Sequence, residues 1–133
     1  MRRLLHIVLC ASLILAALSA CDHKPDEGAV AAQSAKVYYD YLLHHDYKSF
    51  VAGSYYPDSI PDIYREQLET NAKMILAQQD SDHKGLKEVI VDKGVADTAR
   101  HTADAFLVLV YGDSTRERIV VPMVKHNEVW MMR

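Results

Sequence analysis

The residues able to do chemistry are few, and their spacing serves no familiar reaction. The two thiols are Cys10, inside the apolar run from Leu4 to Ala20, and Cys21, which ends that run. The charged remainder of the chain holds no third cysteine. A disulfide framework and a cysteine zinc site are therefore both excluded. Beyond the run stand His23, His44, His45, His83, His101 and His126. No two of them sit four apart on one helical face, and the adjacent His44 and His45 diverge by about 100° on a helix. They read as surface residues, so no metal is expected. A Gly-rich phosphate loop, a nucleophile elbow and a paired-carboxylate spacing are all missing, and no cofactor is expected.

Cys21 has the most informative surroundings. Arg2 and Arg3 precede the apolar run, and Asp22 to Gly28, "DHKPDEG", turns charged at once. The run falls a little short of the roughly 20 apolar residues that a spanning helix needs. A positive start and an apolar core make a secretory signal. Its end, Leu18-Ser19-Ala20-Cys21, resembles the bacterial lipobox. That resemblance implies cleavage between Ala20 and Cys21, a diacylglycerol thioether on Cys21, and fatty acylation of the new N-terminus. Each buried methylene contributes about 0.8 kcal/mol, so two or three chains hold a protein on a membrane. The chain then divides into a removed signal peptide (1–20), a lipidated cysteine with its tether (21–28) and a folded domain (29–133). The implied location is the bacterial cell envelope. Asp22 resembles an inner-membrane retention signal, whereas Asp22, Asp26 and Glu27 together resemble an export signal for the cell surface. The two point to opposite addresses.

Bulk composition narrows the partners. The chain has 133 residues and a formal charge of −3. Removing residues 1–20 takes away Arg2 and Arg3 and no acid, which moves the charge to −5. Such a surface repels phosphate backbones, and no Lys/Arg stripe offsets it, so nucleic acid is excluded as a partner. Half the residues are hydrophobic, enough for one domain to bury a core without staples.

The elements that would position any site follow from periodicity. From Ala29 a three-to-four-residue spacing of Val30, Ser34, Val37, Tyr38, Tyr41 and Leu42 predicts a helix fading at His44–Tyr47. Ser49 to Tyr56 adds a further turn. A second long helix is predicted with Ser59 as N-cap and Pro61 near its start. Ile60, Tyr64, Leu68, Ala72 and Ile75 form its predicted buried face, and it ends near Asp80. The period then changes to two. "LKEVIVDKGVAD" predicts a strand with Gly94 as a bulge. "HTADAFLVLVYG", "RERIVVPMVK" and "EVWMMR" predict three more. The result is an α+β domain: two to three N-terminal helices packed on one face of a curved four-stranded antiparallel sheet. Ala105, Leu107 and Leu109 alternate with Phe106, Val108 and Val110, so both faces are apolar. Either a second copy covers the outer face, making a homodimer, or a strongly curled sheet covers it with its own long side chains.

This order of elements resembles the nuclear-transport-factor-2-like α+β cone, of the cystatin-like type, and within it small bacterial lipoproteins of unknown function. The matching stretches are "VYYDYLLHHDYKSF", "HKGLKEVIV", "AFLVLVYGDS" and "IVVPMVKHNEVW". Tyr38, Asp46 and Tyr47 match the close of the first helix, Tyr111-Gly112-Asp113 a hairpin, and Trp130 a terminal position after a tight turn. Asn127 and Glu128 stand where the family commonly has Gly. The resemblance implies a pocket between helices and sheet, which in relatives such as ketosteroid isomerases performs proton transfer. Tyr38, Tyr41, Tyr64 and Trp130 are its candidate lining here. Isomerase chemistry also needs a carboxylate or His base, and the central strands offer only apolar residues inward. The resulting expectation is a non-catalytic binding or scaffold domain for an unknown protein or small ligand. The alternative is an isomerase-type pocket enzyme or a carrier of small apolar ligands.

Overall fold

The computed structural model describes residues 24–133. Ala20, Cys21 and the expected signal peptide lie outside the described residues. Three helices precede a four-stranded sheet: α1 (Glu27–Leu43), α2 (Tyr47–Ala52), α3 (Asp62–His83), β1 (Leu86–Asp97), β2 (Thr102–Tyr111), β3 (Arg116–His126) and β4 (Val129–Met132). The sheet order is β1-β2-β3-β4, with every neighbour antiparallel. Helices on one curved antiparallel sheet are the architecture that periodicity predicts.

Helix α1 starts two residues earlier than its apolar pattern, because Asp26 caps it by accepting from the Gly28 N–H at 3.0 Å. Its buried face is Ala31, Ala32 and Ala35, all fully covered. Such small side chains let the helix lie almost on the sheet. At Gly28 and Gly94 the two backbones meet so closely that a Cβ on either glycine would strike the other's carbonyl. Gly94 is therefore not a bulge. It pairs regularly with Ala105, and the register shifts fall between Leu86 and Glu88 and between Val91 and Lys93. Its lack of a side chain serves the helix crossing instead.

Helix α3 departs further from expectation. Ser59 does not cap it; the cap is Pro61, whose carbonyl accepts from the Tyr64 and Arg65 N–H groups. A proline biases the residue before it toward extended backbone, which keeps Ile60 out of the helix. The helix runs past Asp80 to His83, leaving only left-handed Lys84 and Gly85 as the link to β1. Its buried residues are Ala72 and Leu76, whereas Tyr64 and Ile75 are exposed. The reason is docking: α3 packs mainly on the short α2 and touches the start of β1, so only one narrow line is covered.

The main core joins α1 to the inward residues of the sheet, including Leu107, Met123 and Trp130. The sheet's free edge is also protected. Gly53 and Tyr55 exchange backbone hydrogen bonds with Met132 on β4. On the outer face, Phe106, Val108 and Val110 are half-buried and Val95, Val120 and Val129 are exposed. The Lys93 ammonium lies 5.0 Å from the Phe106 ring centre and covers part of that face.

Candidate functional site

Helix and sheet touch at Gly28 and Gly94 and part toward the far end of α1. There a cavity of about 230 Å³ opens between the helices and the sheet. Tyr39 and Leu42 from α1, Ala72, Leu76 and Gln79 from α3, and Leu109 and Tyr111 from β2 form much of its wall. Phe50 from α2 meets the Tyr39 ring edge-on, with centroids 5.6 Å apart. Glu117 enters because it pairs with Leu109 in the β2–β3 register and so shares the inward face.

The polar groups here are Tyr39, Gln79, Tyr111 and Glu117, of which Glu117 is the acid. The Tyr111 hydroxyl donates to Glu117 Oε2 at 2.7 Å. Burial, then the Glu117 hydrogen bond and charge, push that phenol well above the usual tyrosine range. Tyr39 is raised too, by burial first and then by Glu117. Gln79 Oε1 is buried and, among the described residues, has no hydrogen-bond partner. The cavity lining contains no Lys, Arg or His. The nearest histidine, His83, stacks 5.1 Å from Tyr111, and its Nδ1 lies 3.0 Å from the Asp113 carboxylate. Thr115 first and then His83 hold Asp113 down to about 2.

None of the four aromatics predicted as pocket lining borders this cavity. Tyr38 and Trp130 form a brace at the narrow end: the Tyr38 hydroxyl donates to the Trp130 carbonyl at 2.8 Å. The Trp130 indole N–H donates to Glu27 Oε2 at 3.1 Å, and Lys125 Nζ lies 3.0 and 3.1 Å from the two Glu27 oxygens. Lys125 and the indole lower the Glu27 carboxyl, and Glu27 raises Lys125. Trp130 borders a separate recess of about 150 Å³ with Lys24, Glu27 and Lys125. Tyr41 and Tyr64 are largely exposed.

A crystal structure from Campylobacter jejuni, NTF2-like and provisionally assigned as a transpeptidase, superposes with a TM-score of 0.61. The match covers 75% of this chain and 94% of the other, at 13% sequence identity. The domain has the NTF2-like fold. At that identity the likeness carries the fold alone. No protein-family model matches the sequence, and no curated protein does.

Sequence reasoning overlooked Glu117, Tyr111 and Gln79 as members of an NTF2-like pocket. The signal for Glu117 was present: it keeps the inward parity of Ile119, Val121 and Met123. Its place in the charged "DSTRER" stretch hid that parity. Gln79 carried no such signal, because α3 buries a different line from the one its apolar residues mark. Among the described residues no group of three or more His, Cys, Asp or Glu is placed to hold a metal ion.

Proposed function

We propose that this protein is a bacterial envelope lipoprotein, held on its membrane by lipid on Cys21, whose NTF2-like domain binds a ligand or partner and performs no reaction. The n-region, apolar run and Leu18-Ser19-Ala20-Cys21 box support the anchor. Among the described residues no helix is long and apolar enough to cross a membrane. Folded structure begins at the Asp26 cap, five residues after Cys21, so the tether reaches at most roughly 17 Å. Two of the acids near the anchor serve the fold: Asp26 caps α1, and Glu27 holds Lys125 and Trp130. Asp22 directly follows Cys21, the position of the inner-membrane retention signal it resembles.

The observation that carries binding over catalysis is the Tyr111–Glu117 pair. A proton-transfer site needs its carboxylate free to take a proton and its phenol free to donate to a developing oxyanion. Here the Tyr111 O–H is already given to Glu117 at 2.7 Å, so the phenol has no proton to offer a developing oxyanion. The isomerase alternative rests on the same two side chains, and it requires their hydrogen bond to break when substrate enters. Changing Cys21 to Ser tests the anchor: the protein should move from the membrane fraction to the soluble fraction. Continued membrane association of the Cys21→Ser protein refutes the lipoprotein assignment.

A second copy is the partner that best fits the outer sheet face. Its apolar centre, Ile90, Phe106, Val108 and Val120, lies between Arg116, Arg118 and the acid Glu88 at one end and Asp104 at the other. A two-fold axis running across the strands sets the arginine end of each copy over the acidic end of its mate. Asp92 lies 3.8 Å from Arg118, whose side chain is 81% exposed, so the guanidinium remains available.

A further inference from the structure

We infer that the NTF2-like cavity selects a small apolar molecule bearing a protonated amine, with the ammonium at Glu117 and Gln79 and the apolar body among Tyr39, Leu42, Phe50 and Leu109. The inference deepens the binding function proposed above and rests on it. Its first support is the polarity of the lining. Among the described residues Gln79 Oε1 is buried without a donor, and an unsatisfied buried acceptor is destabilising until a donor arrives. Glu117 accepts one hydrogen bond, from Tyr111, and a carboxylate has room for about three more. Burial and the Glu117 charge hold the Tyr111 and Tyr39 phenols in their neutral form.

The second support is what the lining lacks. Among the described residues no Lys, Arg or His borders the cavity, and Tyr111 already gives its O–H to Glu117. An anionic head would meet the Glu117 carboxylate with no cation in the lining to offset it. A neutral alcohol could satisfy only one acceptor. An ammonium carries three donors and a positive charge, and so answers Gln79 and Glu117 together. Tyr39, Phe50 and Tyr111 add aromatic wall to the same space, and a ring face attracts a cation. The apolar wall and modest volume match a short body rather than a long acyl chain.

Three probes that share one body isolate the head group: n-hexylamine, 1-hexanol and hexanoate, titrated at neutral pH and physiological salt and followed by protein NMR. The expected result is saturable hexylamine binding, tighter than hexanol by about tenfold, with no saturation by hexanoate. Shifts should centre on Tyr39, Gln79 and Tyr111. Glu117→Gln should remove the amine preference and leave hexanol binding unchanged. Glu88→Gln, an acid lost from the outer face, should alter nothing, which separates the cavity from the general attraction of a negative domain. Should Glu117→Gln fail to fold, the head-group order and the shift map in the unaltered protein still decide. Equal or tighter binding of hexanoate or hexanol overturns the amine assignment and leaves a binding pocket standing. Failure of all three to bind at about 10 mM overturns both the amine assignment and the small-ligand function.

Discussion

The β3–β4 hairpin closes through Asn127 and Glu128, flanked by the His126–Val129 pair. Both residues have positive φ, 48° and 63°, as a two-residue type I′ turn demands. Asparagine accepts that conformation readily, and glutamate does not. Holding an ordinary residue left-handed costs roughly 1–2 kcal/mol. Replacing Glu128 with Gly removes that cost but adds about 0.5–1 kcal/mol of chain entropy to the unfolded state. The ion pair lost is weak, since Glu128 is 91% exposed and 3.3 Å from Lys125. Lys125 also keeps its stronger partner, Glu27. The net expectation is stabilisation by about 0.5–1 kcal/mol, a rise in melting temperature of roughly 3–6 °C for a domain of this size. Thermal unfolding by circular dichroism, with Glu128→Gln as the companion variant, measures it. Gln keeps the Cβ and removes the charge, so its melting temperature should stay near the parent's. A fall in both variants would show that the Lys125 ion pair, and not the backbone, governs this turn.

Two other outcomes follow from the same structure. Tyr111 and Tyr39 are both held above the ordinary phenol range, so the folded state keeps their protons when the unfolded state has lost them. Their stabilising share is complete below about pH 10 and is lost as pH climbs from there toward the folded values. Alkaline unfolding should therefore start above about pH 10, and Tyr111→Phe should push its onset upward; an unchanged onset refutes the burial assigned to this phenol. For the outer face, light scattering on residues 22–133 without lipid should give a dimer that Arg118→Asp weakens, and a monomer at high concentration removes the second copy as partner.

The sheet was legible in the sequence almost to the residue, and the long helix was not. Strand β1 spans Leu86–Asp97 as predicted, because period-two alternation is bounded there by turn residues on both sides. The β3–β4 turn was read one residue early, at His126 and Asn127; His126 pairs with Val129, so the turn falls at Asn127 and Glu128. Helix α3 failed for a tertiary reason. Its apolar residues outnumber the sites available to bury them, so Tyr64 and Ile75 stay exposed while Ala72 and Leu76 are covered. Gly94 shows a related limit: glycine in a strand signals either a bulge or a close approach, and only the position of α1 decides between them. The aromatic pocket prediction chose the wrong tyrosines because neighbours on a helix point in different directions. Tyr38 turns to the Trp130 carbonyl, and Tyr39, one residue on, lines the cavity.

The pocket and its orientation follow from a gradient of side-chain volume along one helix. At the start of α1, Gly28, Ala31, Ala32 and Ala35 meet Gly94, Ala103 and Ala105, and nothing larger than a methyl group separates helix from sheet. Toward its end Tyr39 and Leu42 face Leu109 and Tyr111, and the larger groups hold the layers apart without filling the space. The Glu27 brace to Lys125 and Trp130 clamps the narrow end, so the taper cannot relax by sliding the helix. Seventeen helical residues span about 25 Å, and the proposed lipid lies beyond the narrow end. On the proposed lipoprotein reading, a tether of at most roughly 17 Å joins the domain at the closed end, with the cavity at the far end of α1. On that reading ligand is expected to reach the cavity from water. An amine head with a short apolar body is soluble enough to arrive that way, whereas a long acyl chain would remain in the membrane.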